Sequence, residues 1–130
     1  MTLNALTPDF LAALDAQLGP KALRPVDVRY LEEPRGRWAG QAGAVVAPAS
    51  TAEVAIVLAA AAQARVGVVP YSGGTGLVGG QIMPDGAGAL LLSLERMTAI
   101  RAVYPEENVL IAEAGAILEE VHRAAEAVER

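Results

Sequence analysis

The sequence predicts a mixed α+β chain: an α/β unit first, an antiparallel part after it. Three observations predict this. Two apolar runs, "AVVAP" (Ala44 to Pro48) and "VGVVP" (Val66 to Pro70), flank one capped helical stretch at the spacing of a βαβ unit. A third apolar run, "ALLLSL" (Ala89 to Leu94), follows a glycine-rich loop. Beyond it, "TAIRAVY" and "NVLIAEAG" are joined by "PEEN", the turn chemistry of a hairpin. The length, 130 residues, suits one domain. We divide it into 1–43, a helix and connecting loop; 44–97, the parallel unit with its glycine loop over 70–80; and 98–130, the antiparallel part.

The first helix opens at Thr7-Pro8. Threonine caps, and proline suits the first helical position, whose N–H has no partner. Phe10, Leu11, Leu14 and Leu18 form its apolar stripe, and Gly19-Pro20 ends it. The polar stretch "VDVRYLEEPRGRWAGQAG", broken by Pro34 and three glycines, reads as loop. Ser50 and Glu53 match a capping box for a helix running to about Arg65. Its buried face is expected to carry Val54, Val57, Leu58, Ala61 and Ala62. The strands on either side are expected to be parallel neighbours, joined by a right-handed crossover. A last helix from about Ala116 is expected to bury Ile117, Val121, Ala124, Ala125 and Val128.

Composition narrows the function. The net charge is −5 with no basic run, which argues against a nucleic-acid or anionic-membrane partner. Cysteine is absent, so disulfides and thiolate metal sites are excluded, and no metal ligand set is expected. The apolar stretch Val54 to Ala62 is too short to span a bilayer, and the start lacks a basic n-region. The expected location is cytoplasmic. His122, Glu119, Glu120, Glu126 and Glu129 read as a solvated helix face, and Trp38 as a surface packing residue.

Five of the nine residues from Ser72 to Gly80 are glycine, at a cost in backbone entropy. Gly74 to Gly79 satisfies the dinucleotide pattern G-x-G-x-x-G, and Glu95 stands where a ribose-binding acid would fall. That pattern needs a helix starting at the loop. Gly80, Pro84, Gly86 and Gly88 leave no room for one. Gly74 and Gly79 also have Walker A spacing, but Gly80-Gln81 follows instead of Lys-Ser/Thr. The third reading is a nest of main-chain N–H groups holding an anion, with Ser72 and Thr75 adding hydroxyl donors.

"PYSGGTGLVGG" resembles the pyrophosphate loop of the FAD-linked oxidase family, whose FAD domain is of the vanillyl-alcohol-oxidase (PCMH) type. "GRWAGQAGAVVAPASTAEVAIVLAAA" before it and "LLLSLERMTAIRAVYPEENVLIAEAGAILEEV" after it resemble the flanking segments. The similarity covers about Tyr30 to Arg130 and is greatest to the D-2-hydroxyacid dehydrogenases. It implies that 44–97 is the first FAD-binding subdomain and 98–130 the beginning of the second. Ser72 stands where many members have glycine, and Gly74 where several of the subgroup have asparagine. Thr75 stands where some relatives carry the histidine that binds flavin covalently, so non-covalent FAD is implied.

The resemblance further implies a parent enzyme that oxidises a D-2-hydroxy acid of the D-lactate, D-2-hydroxyglutarate or glycolate type. Electrons would pass through FAD to an external acceptor. Tyr71, Ser72, Gly73, Gly74, Thr75, Gly76 and Leu77 are expected around the pyrophosphate, with Pro70 fixing the strand exit and Gly80 closing the loop. Pro48 and the turn Glu113-Ala114-Gly115 are expected at the adenosine end. Gly76 is expected to need positive φ, and Ser72 to be replaceable by glycine. Family members are several times longer, so a truncated chain without catalytic residues, inactive and self-associating alone, is expected. A non-catalytic anion- or partner-binding module and an NAD-binding domain are the alternatives.

Overall fold

The computed structural model describes residues 2–85 and 88–130. Helix α1 (Pro8–Leu18) begins where Thr7 Oγ1 accepts the Phe10 N–H at 3.2 Å. It ends at Gly19, whose φ of +83° lets its N–H reach Asp15 O. Two elements lie in the stretch read as loop from Val26 onward and just before it. Strand β1 (Leu23–Arg24) and a single 3-10 turn (Val28–Tyr30) bracket Pro25 to Asp27. Two residues of strand carry no legible hydrophobic period, which is why β1 was not expected.

Strand β2 (Ala44–Val46) leads to helix α2 (Thr51–Ala64). Half of the expected capping box forms: Ser50 Oγ accepts the Glu53 N–H, but Glu53 Oε2 reaches one residue further back, to the Ala49 N–H at 2.7 Å, rather than to that of Ser50. Arg65, at φ +58°, closes the other end. The buried face differs from expectation. Val57 and Ala61 are buried and Val54, Ala60 and Ala64 pack beside them, but Leu58 is 47% exposed and Ala62 faces outward. Alanines surround this helix, so its sequence has no polar face to fix its rotation; packing fixes it instead.

Strands β3 (Val68–Tyr71) and β4 (Leu90–Ser93) complete a four-stranded sheet in the order β1-β2-β4-β3. Hence β2 and β3 are not neighbours as expected: β4 lies between them, parallel to both, and β1 pairs antiparallel with β2. The reason is burial. All four residues of β4 are buried, and a strand covered on both faces belongs in the middle of a sheet. On one face Leu90 and Leu92 join Leu14, Val46, Val57 and Ala61 under α1 and α2. On the other, Leu91 and Val45 meet Tyr30. Each such aliphatic side chain contributes roughly 1.5–3 kcal/mol by burial.

The second part is the expected hairpin, β5 (Ile100–Tyr104) with β6 (Val109–Ala112), antiparallel with one irregularity in register. Pro105 starts a 3-10 turn, and Asn108 ends it at φ +52°. Helix α3 (Leu118–Glu126) packs on both strands. It begins later than expected, and Ile117 is exposed rather than buried. Val121, Ala124, Ala125 and Val128 are half-buried. Among the described residues no helix is long and apolar enough to cross a membrane.

Candidate functional site

Parallel strands β2, β3 and β4 all end at one edge of the sheet, the edge at which open α/β sheets bind ligands. The glycine loop leaves β3 there. Pro70 sits on the outer strand, exposed, where its missing N–H costs the sheet nothing. Tyr71 then anchors the loop. Its hydroxyl donates to Arg29 O at 2.8 Å, and its ring meets Tyr30 edge-on at 5.3 Å. Burial pushes the Tyr71 hydroxyl above the usual phenol range, so it stays a neutral donor. Glu95, expected to reach a ribose under the dinucleotide reading, instead accepts from the Arg29 guanidinium and the Tyr30 hydroxyl and pairs with Arg24.

No helix forms from Ser72 to Asp85. That removes the support a dinucleotide fingerprint requires, and with it the NAD-binding alternative. Of the residues invoked to exclude a helix, Gly86 lies outside the described residues. Four of the loop's carbonyls are held by donors. Gln81 Nε2 donates to Gly74 O and Gly76 O at 3.2 and 3.1 Å, and Arg35 Nη2 donates to Leu77 O at 2.7 Å. Gly79 O accepts the Ile82 N–H. The main-chain N–H groups from Ser72 to Gly80 find no acceptor among the described residues. The stretch 70–84 contains no carboxylate. Amides without an acceptor among the described residues, four carbonyls turned to their own donors and no negative side chain make a donor set suited to a diphosphate.

The glycines are not equivalent. Gly74 is at φ +70°, and a Cβ there would fall 2.1 Å from the Tyr71 hydroxyl. Gly79 is at φ +72° with the Trp38 ring against it. Gly76 is not at positive φ, contrary to expectation; a Cβ there meets only the end of Gln81. Gly73 and Gly80 have open space. The Ser72 hydroxyl, expected to face the anion, donates to Ala114 O at 2.7 Å, because the hairpin turn lies directly against the loop. Thr75 is exposed.

Gly115 explains that closeness. A Cβ at this position would stand 1.9 Å from Leu94 O, so only glycine lets the turn dock on the end of β4. The Gly115 N–H donates to Met97 O. Ser72 and Gly115 thus meet at the carboxyl edge. Pro48, at the end of β2, shares that edge but is fully buried, and the Arg96 guanidinium holds the neighbouring Ala47 O.

Sequence reasoning missed Glu33, Arg35 and Gln81. The Glu33 carboxylate is buried in a polar stretch read as loop. It accepts from Arg35 Nε at 2.8 Å and from the N–H groups of Arg35 and Arg37. The hydrogen bond from Arg35 holds its carboxyl below the usual range. Nothing in "LEEPRGRW" distinguishes Glu33 from Glu32; the distinction is made by what folds over it.

Fold and site define a class: a two-part α+β domain with an amide-lined loop at the carboxyl edge of its parallel strands. The particular family follows from comparison with known proteins. The chain belongs to the FAD binding domain family, which matches residues 42–130, more than half its length. It is 37% identical over 117 residues to a D-2-hydroxyglutarate dehydrogenase of Xanthomonas citri pv. viticola, covering 86% of this chain and 24% of that protein. An alkyldihydroxyacetonephosphate synthase superposes over 97% of this chain and 28% of its own, with TM-score 0.77 and 21% identity. A 4-ethylphenol oxidase from Gulosibacter chungangensis does so over 97% and 26%, with TM-score 0.72 and 21% identity. The structural likenesses establish the fold. The chain spans about a quarter of the length of these proteins.

Proposed function

We propose that this chain is the FAD-binding portion of a flavin-dependent oxidoreductase acting on a D-2-hydroxy acid, and that the loop of residues 70–80 holds the FAD pyrophosphate. The observation that carries the reading is in the loop: its amides from Ser72 to Gly80 find no acceptor among the described residues, while the carbonyls of Gly74, Gly76, Leu77 and Gly79 are tied back. Similarity to a D-2-hydroxyglutarate dehydrogenase supports the substrate class. When bound, the flavin supplies the acceptor for the hydride that leaves the substrate Cα.

The chain's own residues bind and orient. Main-chain N–H groups from Tyr71 to Leu77 surround the phosphates, and Gly80 closes the loop. Pro70 and Tyr71 fix where the loop leaves the sheet. Gly115 brings the second subdomain to the adenosine end, with Pro48 beneath. Thr75 offers no imidazole for a covalent link, so acid should release the flavin intact. This chain is assigned no catalytic side chain; a hydroxy acid and an external electron acceptor are its small-molecule partners.

The binding arm is tested by amide-resolved NMR of the 130-residue chain titrated with FAD to millimolar concentration. Amides of residues 71–80 should shift, with affinity weaker than micromolar because only part of the cofactor is contacted. Absence of those shifts, or shifts elsewhere, would sink the loop assignment. The catalytic arm needs a polypeptide of the relatives' length that carries this chain. Under anaerobic conditions a D-2-hydroxy acid should bleach its flavin band; an unbleached band with D-lactate, D-2-hydroxyglutarate and glycolate would reject the substrate class.

A further inference from the structure

The segment from Glu33 to Trp38 grips the glycine loop although some 42 residues separate Arg35 from Leu77. It is a closed turn: the Gly36 N–H donates to Glu33 O at 2.7 Å, and the Glu33 N–H to Trp38 O at 3.1 Å. Its carboxylate, buried at Glu33, orients the Arg35 guanidinium through Nε, which leaves Nη2 for Leu77 O. The Trp38 ring covers Gly79, where a Cβ would come within 3.1 Å of it. From the other side Gln81 holds two further loop carbonyls.

We propose that Arg35, aimed by Glu33, and Gln81 are positioning residues: by holding the carbonyls of Gly74, Gly76 and Leu77 inward they keep the loop amides facing out. This rests on the reading of the loop as the pyrophosphate site. The physical argument concerns the peptide unit. Each unit carries its N–H and C=O on opposite sides, so fixing a carbonyl fixes the direction of the next residue's amide. Glycine-rich backbone has little preference of its own between the two orientations. Two side chains therefore decide it. Neither need touch the ligand. A guanidinium suits this task, because its fork bonds a carboxylate and a carbonyl at once.

The test compares wild type, Arg35→Ala, Arg35→Lys and Gln81→Leu in the 130-residue chain. Three quantities are read: the FAD affinity from amide shifts, the apo shifts of residues 74–80, and the thermal midpoint. Arg35→Ala and Gln81→Leu should each weaken FAD binding roughly tenfold, the scale of one charge-assisted or two neutral hydrogen bonds. They should also move the apo amide signals of the loop. Gln81→Leu should keep its thermal midpoint within about 2 °C, since that side chain adds little to the core, whereas Arg35→Ala should lower it by more than that because the buried Glu33 carboxylate loses its cation. Arg35→Lys, which keeps a donor for Leu77 O but loses the fork, should recover part of the affinity. Unchanged FAD affinity in both Arg35→Ala and Gln81→Leu, with wild type shifting its loop amides, overturns the proposal and leaves the pyrophosphate reading standing. Wild type that fails to shift those amides overturns both. Should Arg35→Ala lose its folded spectrum, Gln81→Leu alone decides by the same criterion.

Discussion

Gly74 and Gly76 stand two residues apart in one glycine loop, and the structure asks different things of them. At Gly74 a side chain meets two obstacles: a φ of +70° and the Tyr71 hydroxyl. The left-handed backbone alone costs an L-residue about 1–2 kcal/mol. Moving Tyr71 also breaks its bond to Arg29 O. Gly74→Val should therefore abolish FAD-induced shifts of the loop amides. Gly76→Val should weaken them less, since no positive φ is at stake and the Gln81 amide must give way only at the cost of its bonds to Gly74 O and Gly76 O; equal loss in both variants would show that the backbone at Gly76 is as constrained as at Gly74. Ser72→Gly removes a hydrogen bond to Ala114, and urea unfolding should register about 1 kcal/mol. Its FAD-induced loop shifts should remain, because the proposed binding is through the loop's main chain.

Within the elements, helix α2 offers the plainest contrast. Val57 is wholly buried and Leu58 nearly half exposed, though both belong to the apolar pattern. Val57→Ala should cost about 2 kcal/mol in urea unfolding, for lost burial and the cavity left behind. Leu58→Ala should cost well under half of that, and a reversed order would mean the helix is rotated. In the hairpin, Glu113 Oε1 pairs with Arg101 and Oε2 accepts the Ala99 N–H. The Arg101 hydrogen bond, then that from Ala99, holds its carboxyl below the ordinary range. A folded value below the unfolded one means the stabilisation is fully present above the ordinary carboxylate range, about pH 4. It fades as pH falls through the lowered value. Urea melts at descending pH should show the gap between wild type and Glu113→Gln narrowing below about pH 4; a gap that persists in acid would mean the ion pair is not its source.

For the molecule as a whole, the consequential contact is the docking of the antiparallel part on the parallel one. Gly115→Ala places a methyl group into the Leu94 carbonyl, which is main chain and cannot rotate away. The hairpin should undock while each part keeps its own hydrogen bonds. NMR should then show shifts along 93–97 and 113–116, with the α2 and β4 core unmoved; an unchanged spectrum would mean the two parts do not meet there. Ile117 and Leu118, both about two-thirds exposed, lie just beyond this contact. We propose that self-association, expected from the sequence, runs through these two side chains. Sedimentation of wild type against Ile117→Ser with Leu118→Ser should show the variant less associated.

The sequence by itself determined what is local. Thr7-Pro8, Ser50 with Glu53, and Pro105 to Asn108 mark their caps and turn because each signal acts within a few residues of backbone. The glycine loop with its flanking runs was sufficient for the family, and the absence of a helix after it followed from Gly80 and Pro84. Tertiary structure alone decided what spans the chain. The insertion of β4 between β2 and β3 depends on which strand needs both faces covered, a comparison no single segment contains. The rotation of α2 depends on the core, because a helix apolar on every side has no preferred face. Glu33, Arg35 and Gln81 carry no motif. Their charges and amides became structural only when folding closed a 42-residue separation and took water away from a carboxylate. Hydrogen bonds between distant residues are set by geometry, and geometry at that range is a property of the packed chain rather than of its neighbours in sequence.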